Sequence, residues 1–266
     1  MPSNKKLLQA AAGSASSTEG YVEDVFSTFL YDGTGNSSYN SGDGSNQNIV
    51  SGIDLSGEGG MVWTKSRNNG VRHSVVDTER GATKMLNTDE TGAEATTTDS
   101  TISFNSNGHT LGVDNGFQRV NFKGSAPYNY VSWTFRKAEN FFDVVAWTGD
   151  GQNSRSIAHN LGSIPGMIIV KRTDAASDWI TYSSNGSIYK QMSLNSTAAN
   201  NSDKNYSEIA TDSTLDVAHM EGSIGIGNAN GATYVAYLFA SDAGGFGDDE
   251  DENIIKCGGY TADSSN

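Results

Sequence analysis

Several residue groups in this 266-residue chain are of types that do chemistry, and their spacing decides whether they can. His73, His109, His159 and His219 are scattered and form no HExxH pair, so a histidine-held zinc or non-haem iron is not expected. Asp77, Glu79, Asp89, Glu90 and Glu94 could supply the two carboxylates of glycoside cleavage. The matching stretch of the second half, Tyr182 to Ala199, holds no acid at all, which favours surface acids. Asp248-Asp249-Glu250-Asp251-Glu252 is the densest charge, but calcium loops take oxygens from alternate turn positions; a plain run reads as a solvated spacer. No Gly-x-Ser-x-Gly elbow precedes a helix, and no serine is singled out beside a base and its orienting group. Gly222-Ser223-Ile224-Gly225-Ile226-Gly227 lacks a following Lys-Ser/Thr or helix, so it reads as strand and turn rather than a phosphate loop. The single cysteine, Cys257, excludes an internal disulfide and a multi-cysteine zinc cluster, and reads as a small buried hydrophobe. Trp63, Trp133, Trp147 and Trp179 fall at apolar strand positions, where core packing is the default and a carbohydrate platform the alternative. The expectation is therefore a protein with no catalytic residue, no metal and no cofactor.

The elements that would position these side chains are written twice. Gly60-Met61-Val62-Trp63-Thr64-Lys65 returns as Gly166-Met167-Ile168-Ile169-Val170-Lys171, and Tyr130-Val131-Ser132-Trp133-Thr134-Phe135 returns as Tyr234-Val235-Ala236-Tyr237-Leu238-Phe239. Phe29 to Gly35 matches Val145 to Gly151, and Cys257 to Asp263 looks like the start of a third copy. Matched blocks in the same order argue for tandem duplication. Alternating strands, such as Tyr130 to Arg136, recur between turn clusters with no long helix between them, which predicts sandwiches rather than βαβ units. Asp89 to Asp99 is the one internal stretch that could supply a helical turn.

The expected fold is all-β: two tandem antiparallel β-sandwich (jelly-roll-like) domains preceded by a short N-terminal helix. The boundaries are 1–20 for helix and tether, 21–139 for the first repeat, 140–243 for the second, and 244–266 for an acidic linker and the third copy. Residues 4–12 form the helix, with Ser3 or Asn4 as cap and Gly13 as stop. Gln9 breaks the apolar stretch of what imitates a signal peptide, and no run reaches the roughly 18 apolar residues of a membrane-spanning helix. A net charge of −14 repels phosphate backbones, so nucleic acid is not an expected partner.

Trp63-Thr64-Lys65-Ser66-Arg67, Asp77 to Lys84, Ser103 to Gly108, Tyr130 to Trp133 and their second-half counterparts His159 to Gly162, Pro165, Ile168 to Lys171 and Tyr234 to Tyr237 carry a resemblance. With the opening Asn4 to Gly13 and Asp24 to Thr28, the chain resembles a β-rich domain that recurs in tandem in virion proteins of marine tailed phages, over about Asn4 to Asp263. The resemblance implies a tail fibre made in the host cytoplasm and built into the virion tail. Lys5, Lys6, Leu7, Leu8 and Gln9 would dock on the tail hub, other tail proteins (an adaptor or nozzle) would be its partners, and the fibre would be a homotrimer. A host surface glycan contacted through distal regions is a further expected partner, and membrane insertion is not expected. The alternatives are a carbohydrate-binding module for host polysaccharide and a capsid decoration protein. The Glu79-Arg80 pair is missing from the second half, so its reading is an ion pair or turn contact within the first repeat.

Overall fold

A computed structural model describes residues 20–115, 120–125, 128–184, 189–197, 205–206, 209–218 and 226–258. The helix expected over 4–12, with Lys5, Lys6, Leu7, Leu8 and Gln9, lies outside the described residues, as do His219 and 259–266. One helical turn, α1 (Val22–Val25), precedes β1 (Phe26–Asp32). The first repeat continues with β2 (Gln47–Ile49), β3 (Gly60–Ser66), β4 (His73–Asp77), β5 (Lys84–Asn87), β6 (Ala95–Thr96), β7 (Thr101–Asn105), β8 (Gly108–Leu111) and β9 (Asn129–Arg136). The second comprises β10 (Phe142–Thr148), β11 (Arg155–Ala158), β12 (Met167–Arg172), β13 (Ile180–Ser184), β14 (Tyr189–Ser193), β15 (Asn205–Tyr206), β16 (Thr214–Ala218), β17 (Ile226–Gly227) and β18 (Thr233–Phe239).

Each repeat is a sandwich of a six-stranded and a three-stranded sheet. The larger sheets run β1-β9-β3-β4-β5-β6 and β10-β18-β12-β13-β14-β15; the smaller run β2-β8-β7 and β11-β16-β17. Pairing is antiparallel apart from β16 with β17. The all-β expectation is what the structure shows. Asp89 to Asp99 forms no helical turn; it holds the short strand β6 and a loop.

The duplication extends to single hydrogen bonds. Asn121 and Asn228 are buried at matching places. Asn121 accepts from the Thr34 amide at 2.9 Å, and Asn228 from the Asp150 amide at 3.2 Å. Their own carbonyls accept from Gly35 and Gly151. A Cβ on Gly33 or Gly149 would collide with the carbonyl oxygen of Phe122 or Ala229, which is why glycine follows the opening strand in both copies. Above each turn a ring pair stacks, Tyr31 on Tyr130 and Trp147 on Tyr234, with centroids 5.2 and 5.3 Å apart.

Strand alternation then sends side chains into three cores. Val62, Val76, Met85 and Tyr130 meet Ile49 and Leu111 inside the first sandwich. Ile168, Val170, Tyr234 and Leu238 meet Ile157, Leu215 and Val217 inside the second. The alternate residues of the same strands, Met61, Val75 and Leu86 on one side and Ile169, Val235, Tyr237 and Phe239 on the other, form a third core between the two six-stranded sheets. Both large sheets are thus apolar on two faces, and the molecule is a four-layer stack rather than two beads on a string.

Candidate functional site

The densest cluster of charged side chains lies at that middle layer. Asp77 ends β4, the turn that follows carries Arg80, Glu94 comes from the loop before β6, and Tyr237 is contributed by β18 of the other repeat. Arg80 donates from Nε to Asp77 Oδ2 at 2.7 Å, from Nη1 to Lys84 O at 3.0 Å and Glu94 Oε2 at 3.1 Å, and from Nη2 to the Tyr237 hydroxyl at 3.1 Å. The Tyr237 hydroxyl donates in turn to Asp77 Oδ2 at 2.7 Å. Burial holds the Tyr237 phenol well above its ordinary value against the pull of Arg80, so it stays a donor. A guanidinium has five N–H groups, and here each nitrogen is committed to the protein. Asp77 has both oxygens occupied, Oδ1 by the Arg80 amide at 2.9 Å. Such a cluster fixes the relation of two sheets; Arg80 and Glu94 also line a cavity of about 380 Å³ with Trp147, Thr173 and Tyr234.

Around it the loop 87–94 of the first repeat clasps the second. Thr173 O accepts from the Glu94 amide, Thr91 O from the Ser177 amide, and Asn87 O from the Trp179 indole at 2.8 Å. Glu79 pairs with Lys137 at 2.8 Å. The ion pair expected around Arg80 therefore exists, but it reaches beyond its own repeat to Tyr237, which strand periodicity alone marks only as a core position.

Register lets the middle-facing sides of the two large sheets be read row against row. Thr28, Trp133, Trp63 and Val75 lie side by side across β1, β9, β3 and β4. The next row is Leu30, Val131, Lys65 and His73, and beyond it come Asp32, Asn129 and Arg67. In the second sheet the matching rows are Val144-Tyr237-Ile169-Thr181 and Ala146-Val235-Lys171, with Trp179 next to Lys171. Trp179, Val235 and Lys171 are fully buried, whereas Trp63, Trp133 and Lys65 are only half-buried and Leu30 is 56% exposed. The core role expected for all four tryptophans holds for Trp147 and Trp179, and Trp63 packs against the middle core; Trp133 is half-buried, edge to face with Trp63 at 6.2 Å. Lys65 Nζ lies 2.5 Å from His73 Nε2. Burial and the Lys65 charge lower the His73 pKa, so the neutral ring accepts that hydrogen bond.

The remaining sequence candidates are not brought together. Glu90 pairs with Arg72, and Asp89 accepts from the His73 amide at 2.9 Å. His109 is buried inside the first sandwich with neither ring nitrogen partnered, and burial lowers its pKa to about 4. His159 accepts from the Leu161 amide at 3.2 Å. Among the described residues no group of three or more His, Cys, Asp or Glu could hold a metal ion, and no helix is long and apolar enough to cross a membrane. Cys257 lines a cavity of about 610 Å³ with Pro165, Gly166 and Ser241; burial pushes its thiol up to about 11. The segment from Ile254 to Cys257 is not a strand: it lies along the second repeat, with Asp242 donating to Ile255 O and Cys257 to Ser241 Oγ.

A family model described as "Domain of unknown function (DUF7483)" matches residues 23–249. The chain belongs to this family. The matched span runs from α1 to beyond β18, so the DUF7483 unit takes in both sandwiches and the middle core that joins them. No curated protein and no solved structure matches the chain.

Proposed function

We propose that the protein is a structural component of a tailed-phage virion, a tail fibre whose N-terminal region attaches to the tail and supports host attachment. The observation that carries this reading is the way the two sandwiches are joined. A continuous apolar core and a saturated Asp77-Arg80-Tyr237 cluster make one stiff body of two repeats, as a load-transmitting shaft requires. A buried charged cluster with every donor committed suits geometry rather than turnover. The resemblance of Trp63 to Arg67, Asp77 to Lys84 and Tyr130 to Trp133 to tandem virion domains supports the same reading. Assembly as a homotrimer would cover β1, a seven-residue edge strand. Lys5 to Gln9 would dock on the tail hub.

The test is removal of residues 1–20 in an assembling phage. The truncated protein should keep its fold and be missing from purified particles. Particles that still carry a full complement of fibre would overturn the anchoring role, and cryo-EM density for the chain on the capsid surface would replace the fibre with a decoration protein.

A further inference from the structure

We propose that Asn69 is a modification site, where the Gly70 amide closes on the Asn69 carboxamide and water then opens the ring to an aspartyl or isoaspartyl residue. This inference does not rest on the virion reading. The reaction needs a side-chain carboxamide, a following residue without a Cβ, and a main-chain N–H that no hydrogen bond holds. The Gly70 nitrogen attacks Asn69 Cγ, the carboxamide C–N bond breaks, and ammonia leaves with the proton from the Gly70 amide. Water then adds to one carbonyl of the cyclic imide. Addition at Cγ restores the ordinary peptide bond and leaves an aspartate; addition at the main-chain carbonyl leaves Gly70 joined through Cγ. The net exchange is water in and ammonia out, with no oxidant or reductant.

Five Asn-Gly pairs carry the sequence signal: Asn69-Gly70, Asn107-Gly108, Asn115-Gly116, Asn185-Gly186 and Asn230-Gly231. Gly116 and the pair 185–186 lie outside the described residues. The structure separates the other three. Gly108 opens β8 opposite Asn105 and is buried; a Cβ there would fall 1.9 Å from Ile49 O, so the backbone has no room to turn into an imide. The Gly231 amide donates to Gly149 O at 2.8 Å and is not free to attack. Gly70 differs on both counts. It is exposed, nothing lies within 4 Å of the place a Cβ would take, and its amide has no acceptor among the described residues. Val71 donates to Asn69 O at 2.9 Å, which holds the turn without using the Gly70 amide.

The change falls on a turn that ties two strands together. Asn69 Nδ2 donates to Asn68 Oδ1 at 3.1 Å. Asn68 in turn accepts from the amide of Asn129, the first residue of β9, at 3.0 Å and donates to its Oδ1 at 2.8 Å. Conversion takes the donor away from Asn69 and sets a carboxylate against the Asn68 oxygen. The isoaspartyl form also adds a methylene to the main chain between β3 and β4.

The experiment holds the whole chain in mildly alkaline buffer and follows it by tryptic peptide mapping with fragmentation, since cleavage after Arg67 and Arg72 isolates residues 68–72. Residue 69 should show the mass shift of a carboxamide-to-carboxylate exchange, as paired aspartyl and isoaspartyl species. It should appear about tenfold or more faster than at Asn107 and Asn230, whose glycines are packed or hydrogen-bonded. In strong urea the three rates should converge, because only the fold tells them apart. Gly70→Ala places its methyl in open space at a φ outside the left-handed region, so it keeps the fold and should slow the reaction about tenfold or more. Equal rates at the three sites in the folded chain overturn the proposal. So does an unchanged rate in Gly70→Ala, or a ranking that persists undiminished in urea. None of these results bears on whether the protein is found in virions.

Discussion

Lys65 and Lys171 are the same residue of the same strand in two copies of one fold, and their surroundings have little in common. Lys65 is half-exposed beside a neutral imidazole. Lys171 is fully buried, donating to Arg172 O at 2.6 Å and Ser177 Oγ at 3.2 Å, and burial lowers its pKa to about 8 against the opposing pull of Asp174 and Asp178. Neither strand differs enough in pattern to cause this. The difference comes from what lands on the row: Lys171 donates into its own following loop at Arg172, Ala175 and Ser177, and the loop 87–94 clasps that loop at Thr173, Ser177 and Trp179. Duplication therefore preserved the strand and its inward-facing residues, while packing of one copy on the other gave equivalent positions different roles.

The comparison is broken most severely at the polar cluster both sheets share. Arg80→Ala leaves Asp77 buried without its cation and should lower the free energy of unfolding by about 3–5 kcal/mol in urea titrations. A loss near zero would mean that the two sandwiches do not depend on each other for their packing. Next comes acid. By register His109 in β8 takes the place that Leu215 holds in β16, each opposite an isoleucine of the neighbouring strand. The folded chain keeps that imidazole neutral down to about pH 4, whereas in the unfolded chain it takes a proton near its ordinary 6.5. Stability is thus complete above pH 6.5 and declines as pH falls toward 4, by on the order of 3 kcal/mol from this group. His109→Leu, which copies the second repeat, should flatten the dependence of Tm on pH across that window.

Smaller effects separate the matched rows themselves. Tyr237→Phe removes a hydroxyl from two buried partners and should cost about 1–3 kcal/mol. Its counterpart Trp133→Phe, at a half-buried position, should cost less than about 1 kcal/mol. Equal losses would mean that the first sheet is covered in solution as deeply as the second. Least of all, Lys65→Met should stay within about 0.5 kcal/mol of the parent in thermal unfolding.

Much of the architecture is legible along the chain. The strand pattern of Tyr130 to Arg136, the turn glycines Gly33 and Gly149 and the order of the matched blocks can be read directly, because alternation and close backbone approach leave local marks. The strands β2, β5, β6 and β11 leave weaker marks. They are two to four residues long, and Gln47-Asn48-Ile49 and Arg155-Ser156-Ile157-Ala158 each offer a single large apolar residue to the core. The reach of Arg80 to Tyr237 is likewise invisible, since the two residues stand in different repeats and meet only through the packing of the sheets. His109 follows Gly108 and faces inward from a strand, a burial that no local pattern marks.

Alternation and glycine placement by themselves determined that the chain is all-β and duplicated, because each depends on a residue and its immediate neighbours along the backbone. Tertiary structure alone decided that Tyr237 would lock a partner sheet, that Lys171 would be buried and that Trp133 would stay only half-buried. Those outcomes depend on how two double-faced sheets are offset when they pack. That offset is set by the sum of many contacts between residues far apart in the chain, and no single segment records it.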